Sequence, residues 1–88
     1  MTAEHETIRV QLNYPQEQVH EPILYRLIVD YGLIPDIRRA NLDEHAGGFI
    51  ALELSGEKDA LERGLNWLEQ RGIMVNIVGL DGTRDWAV

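Results

Sequence analysis

The sequence predicts an α+β fold, a ferredoxin-like βαββαβ sandwich with a four-stranded antiparallel sheet and two helices on one face. Three observations lead there. Two segments alternate apolar and polar residues with the period of a half-buried strand. Two others repeat apolar residues at helical spacing, and the elements follow in the order β-α-β-β-α-β. Third, 88 residues leave room for one small domain, which buries roughly 60–65% of the surface its unfolded chain exposes.

The domain is expected over residues 7–78, between an N-terminal arm (1–6) and a C-terminal tail (79–88). Thr7-Ile8-Arg9-Val10-Gln11-Leu12 reads as the first strand, with Ile8, Val10 and Leu12 turned one way and Thr7, Arg9 and Gln11 the other. Asn13-Tyr14-Pro15 is expected to end it in a loop, followed by a turn or frayed helix over Gln16–Gln18. A helix starting at Val19 or Pro22 runs to Tyr31, because Ile23, Leu24, Leu27, Ile28 and Tyr31 recur on one face. Pro22 suits its first turn and Gly32 its left-handed end.

Ile34 to Leu42 forms the second strand, and Pro35 with the adjacent Arg38 and Arg39 assigns it to an edge of the sheet. Asp43 to Gly48 is turn chemistry. Phe49 to Leu54 alternates cleanly, which completes a hairpin with Ile50, Leu52 and Leu54 inward. Ser55 or Gly56 is the expected cap of a second helix reaching about Arg71. Its apolar stripe is Ala60, Leu61, Gly64, Leu65 and Leu68. A mid-helix glycine costs up to ~1 kcal/mol relative to alanine, so Gly64 marks close packing on the sheet. Gly72 ends the helix, Ile73 to Val78 is the fourth strand, and Trp86 lies in the tail. Right-handed crossovers then put both helices on the same face.

Composition narrows the function. Fifteen acidic residues against eight basic ones give a net charge of −7, which argues against nucleic acid and against an anionic membrane surface. The chain has no cysteine, so disulfides, zinc-thiolate sites, iron–sulfur clusters and thiol catalysis are excluded. No apolar run reaches the roughly 18–20 residues that cross a bilayer. The opening Met1-Thr2-Ala3-Glu4-His5-Glu6 is acidic and does not read as a signal peptide. A cytoplasmic protein without membrane insertion is the expectation.

Catalytic constellations do not form. His5, His20 and His45 fall in the arm, near a helix start and in a hairpin turn, with no i, i+4 pair to hold a metal. Asp43-Glu44-His45 has the makings of a polar turn rather than an acid–base set. Ser55 is the single serine and has no histidine near it in sequence. Gly47-Gly48 precedes a strand rather than a helix, the wrong side for phosphate. Arg38-Arg39 is compatible with a clamp for a carboxylate or phosphate and equally with a charged edge that resists aggregation. The chain is read as a non-enzyme with no cofactor and no metal.

By alternation, the sheet face turned from the helices carries Arg9, Gln11, Phe49, Ala51, Glu53, Met74 and Asn76. That mixture fits a partner or ligand surface, and it also fits a half-exposed antiparallel sheet. Arg9, Gln11, Ala51 and Glu53 are the interface candidates. An RNA-binding sheet would need several aromatics and basic residues here, and only Phe49 is present.

Beyond this skeleton, the segments Asp36-Ile37-Arg38, Arg39-Ala40-Asn41-Leu42, Gly48, Leu52-Glu53-Leu54-Ser55-Gly56, Ala60 to Leu68 with Asn66-Trp67-Leu68, and Gly72-Ile73-Met74-Val75 resemble the NIL domain. The resemblance covers about residues 7–78. That family is similar to the ACT regulatory domains and is known as a C-terminal extension of methionine-importer ATPases and as stand-alone or ferredoxin-fused copies. The chain departs from it where Asp36-Ile37-Arg38 replaces Asn-Ile-Leu and where Gly64 replaces an alanine, and it has no Walker motif. The resemblance implies a homodimeric regulatory domain that binds a small molecule, an amino acid such as methionine.

An amino-acid site needs donors for the carboxylate, an acceptor for the ammonium and an apolar slot. The candidates are Asn13 and Tyr14 in the first loop, Arg38, Arg39 and Asn41 on the second strand, and Phe49 or Met74 along the slot. The alternative reading is a protein-interaction module that docks an enzyme or transporter through its open sheet face or its edge strand.

Overall fold

In a computed structural model, residues 5–79 are described. The elements are β1 (His5–Tyr14), a single 3₁₀ turn (Gln16–Gln18), α1 (Ile23–Tyr31), β2 (Ile34–Asp43), β3 (Gly47–Glu57), α2 (Lys58–Gln70) and β4 (Met74–Gly79). The sheet order is β2-β3-β1-β4, and every pairing is antiparallel. β1 and β2 therefore run the same way with β3 between them, and β3 and β4 run the same way with β1 between them. This is the predicted α+β, ferredoxin-like arrangement.

The register follows the alternation. Ile8, Val10 and Leu12 sit opposite Leu54, Leu52 and Ile50 across β1 and β3. All six are buried, and they form the floor of one core. Ile23 and Leu27 of α1, Leu33 of the following turn, and Ala60, Leu61 and Leu68 of α2 close it from above, with Ile73 at the entry to β4. Gly32 takes a left-handed φ of 68°, which lets its N–H reach the carbonyl of Ile28 at 3.0 Å while the N–H of Leu33 reaches that of Leu27 at 3.1 Å.

Several boundaries move from the sequence expectation, each for a physical reason. β1 starts at His5 rather than Thr7 and continues through Asn13 and Tyr14, because β3 is long enough to pair with all ten residues. α1 starts at Ile23 rather than Val19. Proline lacks an N–H and disfavours helical backbone in the residue before it, so Pro22 stands at the N-cap and the chain before it makes only a 3₁₀ turn. Ser55 and Gly56 lie within β3 opposite Thr7 and Glu6, and the N-cap of α2 is Glu57. β4 begins at Met74, one residue after the expected Ile73. Gly64 is buried against side chains of Leu33, Leu27 and Tyr31, so the close approach it permits is to α1 and the residues around it, not to the sheet. β4 runs on to Gly79, the first residue of the expected tail, and the rest of that tail, with Trp86, lies outside the described residues.

As Pro35 and the arginines predict, β2 is an edge strand. It is exposed almost throughout, and among its apolar residues Ile34 and Ile37 are 61% and 50% exposed. In α1, Tyr25, Ile28 and Val29 are also exposed, although Ile28 belongs to the predicted apolar stripe. No helix among the described residues is long and apolar enough to cross a membrane.

Candidate functional site

Residues opposite each other in an antiparallel sheet point to the same side. The register therefore lays out the open face in rows across β2, β3, β1 and β4. One row is Asp36, Glu53 and Arg9. The next is Arg39, Ala51, Gln11 and Asn76, and the last is Asn41, Phe49, Asn13 and Met74. The four interface candidates, Arg9, Gln11, Ala51 and Glu53, share this face with five of the ligand candidates, Asn13, Arg39, Asn41, Phe49 and Met74.

Two candidates sit differently. Arg38 lies at an irregularity in β2, between the pairs Ile37↔Leu52 and Arg39↔Ala51, so no residue of β3 stands opposite it. Its guanidinium still reaches Glu53 Oε1 at 3.2 Å and Asp36 at 3.5 Å. Tyr14 is not in a loop. It is the last residue of β1, packed among the core side chains, and burial pushes its hydroxyl pKa up to about 12. It does not join the other six.

At the centre of the face is an ion cluster. Arg9 Nε donates to Glu53 Oε2 at 2.9 Å, and Arg38 holds the other oxygen. The Arg38 hydrogen bond, with Arg9 beside it, keeps the Glu53 carboxyl below the usual carboxylate range even though desolvation opposes this. Such a group stabilises the fold above its unfolded pKa, and that stabilisation is lost as pH falls through the lowered folded value. Acidification is therefore expected to reduce the urea midpoint of the native chain more than that of Glu53→Gln. Equal losses would show that the cluster contributes nothing. Nearby, Gln11 Nε2 donates to Asn13 Oδ1 at 3.3 Å, and the hydroxyls of Thr7 and Ser55 meet at 2.8 Å.

His20 and His45 both approach Glu44, at 3.8 and 3.6 Å. Among the described residues, no group of three or more His, Cys, Asp or Glu is placed to hold a metal ion.

The match to known proteins falls on this architecture. The model of the NIL domain matches residues 8–76, from β1 into β4. The chain belongs to the NIL domain family. The fold of this NIL domain is similar to the crystal structure of the C-terminal domain of an ABC transporter ATP-binding protein from Enterococcus faecalis. The TM-score is 0.72 at 20% identity, over 82% of this chain and 83% of that one. No curated protein matches the sequence.

A cleft of about 170 Å³ lies away from the predicted site, where the start of α1 meets the end of α2. Glu21, Pro22, Ile23, Arg26, Trp67 and Arg71 line it. Sequence reasoning missed it because its two sides are more than forty residues apart. The one local trace is Trp67 four residues before Arg71, a spacing that stacks neighbours on a helix.

Proposed function

We propose that this NIL domain is a non-catalytic, cytoplasmic regulatory module that binds an amino acid such as methionine and works as a homodimer. The observation that carries the reading is the family match, which takes in the sheet and both helices. The shared fold with a domain at the C-terminus of an ABC transporter ATP-binding protein adds support for a regulatory part.

The dimer is supported by β2. An exposed edge strand of ten residues invites a further strand, and Ile34, Ile37 and Leu42 supply apolar contact along it. In a register centred on Ile37, antiparallel pairing of two β2 strands would set Asp36 of one copy near Arg38 and Arg39 of the other, a self-complementary arrangement. Ile37→Lys is expected to shift the chain from dimer to monomer in analytical ultracentrifugation. Ile77→Lys, on the opposite edge strand and 58% exposed, is expected to leave the dimer intact. A native chain that is monomeric at all concentrations contradicts the dimer, and calorimetric silence toward methionine and a panel of amino acids contradicts the ligand. The same exposed edge favours one second reading, docking onto an enzyme or transporter, which predicts a monomer that loses its partner on Ile37→Lys.

A further inference from the structure

We infer that the cleft between the start of α1 and the end of α2 is an amino-acid site of this domain. The inference rests on the reading that the domain binds an amino acid, and it gives that ligand a place different from the open sheet face.

The cleft carries the three things a free amino acid requires. Arg26 and Arg71 supply the cation for the carboxylate. Each guanidinium has five N–H donors, and the ion pairs engage Arg26 through Nε, to Asp30 at 3.0 Å, and Arg71 through one terminal nitrogen, to Glu21 at 3.2 Å. Donors therefore remain on both for a second acceptor. Glu21 is the oxygen acceptor for the ammonium. Pro22, Ile23 and the half-buried ring of Trp67 form the apolar wall. Arg71 lies 5.4 Å from the centre of the Trp67 ring, which fixes the guanidinium at the mouth of the slot.

Charge selects the class of ligand. The lining holds two positive groups and one negative one, in a chain whose net charge is −7. A polyanion would meet Glu21, and a simple cation would meet both arginines. A zwitterion instead enters the Glu21–Arg71 pair as a matching dipole, carboxylate toward the arginines and ammonium toward Glu21. α1 also begins at this cleft with no side chain capping it, and although the Ile23 N–H is already held by the Glu21 carbonyl at 2.8 Å, the helix dipole still adds to the positive end. The volume, about 170 Å³, is well below the roughly 300–1,000 Å³ of pockets for drug-sized molecules and suits a ligand of few heavy atoms. The apolar wall favours leucine, methionine or phenylalanine over aspartate or lysine.

The test is calorimetric titration of the full chain with leucine, methionine, phenylalanine, aspartate and lysine. A further titrant is 4-methylpentanoate, the leucine skeleton without its amino group. The apolar amino acids are expected to bind best, and Arg26→Gln and Arg71→Gln each to weaken them at least about tenfold. Glu21→Gln is expected to weaken leucine but not 4-methylpentanoate, a split that loss of folding cannot produce. In a Trp86→Phe background, leucine is expected to change the fluorescence of Trp67. Amino-acid binding that ignores Arg26→Gln and Arg71→Gln but falls with Arg39→Gln overturns the cleft and leaves the amino-acid reading standing. A native chain that binds none of the amino acids overturns both.

Discussion

Gly48→Ala is expected to destabilise the domain by about 3 kcal/mol or more, enough to abolish cooperative folding in a chain this small. Gly48 has a φ of 153°, a conformation that L side chains rarely adopt. A Cβ there would overlap the carbonyl oxygen of Asn41 and come within 2.9 Å of its carbonyl carbon and 3.0 Å of Leu42 Cα. These are backbone atoms of β2, and Gly48 pairs with Leu42 on one side and Tyr14 on the other. The obstruction cannot rotate away as a side chain would. Relief requires the hairpin to part from its register, and a register change by one residue would turn Ile50, Leu52 and Leu54 out of the core. Gly32→Ala is the control. Its φ is 68°, also left-handed, but no heavy atom lies within 4 Å of the added carbon. Its loss is expected to be only about 1–2 kcal/mol. Urea midpoints of the two variants compare crowding with backbone strain directly. Equal shifts would show that the Asn41–Leu42 backbone yields.

What the sequence reveals about this molecule is what depends on neighbours along the chain. The stripe Ile8, Val10, Leu12 and its partner Ile50, Leu52, Leu54 need only a period of two, and Leu27, Leu61 and Leu68 need only a helical period. Proline and paired arginines identify β2 as an edge because both resist a central place in a ladder. The failures occur where a distant partner overrides a local signal. Ser55 and Gly56 have cap chemistry, yet His5 to Thr7 extends β1 far enough to hold them in the sheet. Tyr14 sits beside a proline and reads as a loop, but its ring is drawn into the core on the helix side. Alternation places most of the open face correctly, since Arg9, Gln11, Ala51 and Glu53 follow the same period as the core. It cannot place Arg38, because an irregularity in a ladder depends on two strands. The Glu21–Arg71 cleft is invisible for a similar reason, being made by the packing of two helices.

Leu33→Ala is expected to cost about 3–4 kcal/mol, and the loss should be partly recovered by a second substitution that is unfavourable alone. Leu33 is 1% exposed, in the turn between α1 and β2, and its two methyl carbons fill space that two glycines leave open. A Cβ at Gly56 would come within 2.5 Å of Leu33 Cδ2, and one at Gly64 within 2.9 Å of Leu33 Cδ1. In the native chain, Gly64→Ala gains up to ~1 kcal/mol of helix propensity but overpacks the site by about 1–3 kcal/mol, so it should be neutral or mildly destabilising. Removing the Leu33 side chain eliminates the obstruction and leaves a void that the new methyl group can enter. In the Leu33→Ala background, Gly64→Ala should therefore stabilise by about 1 kcal/mol, giving a coupling of roughly 1–2 kcal/mol in a double-mutant cycle. Leu12→Ala, equally buried but on β1, is expected to lose comparable stability and to show no such coupling with Gly64→Ala. A Leu33–Gly64 cycle that closes to zero would detach the glycine in α2 from Leu33. A positive coupling shows instead why alanine cannot simply replace it: the bulk missing from the helix is supplied by a leucine from the turn before β2.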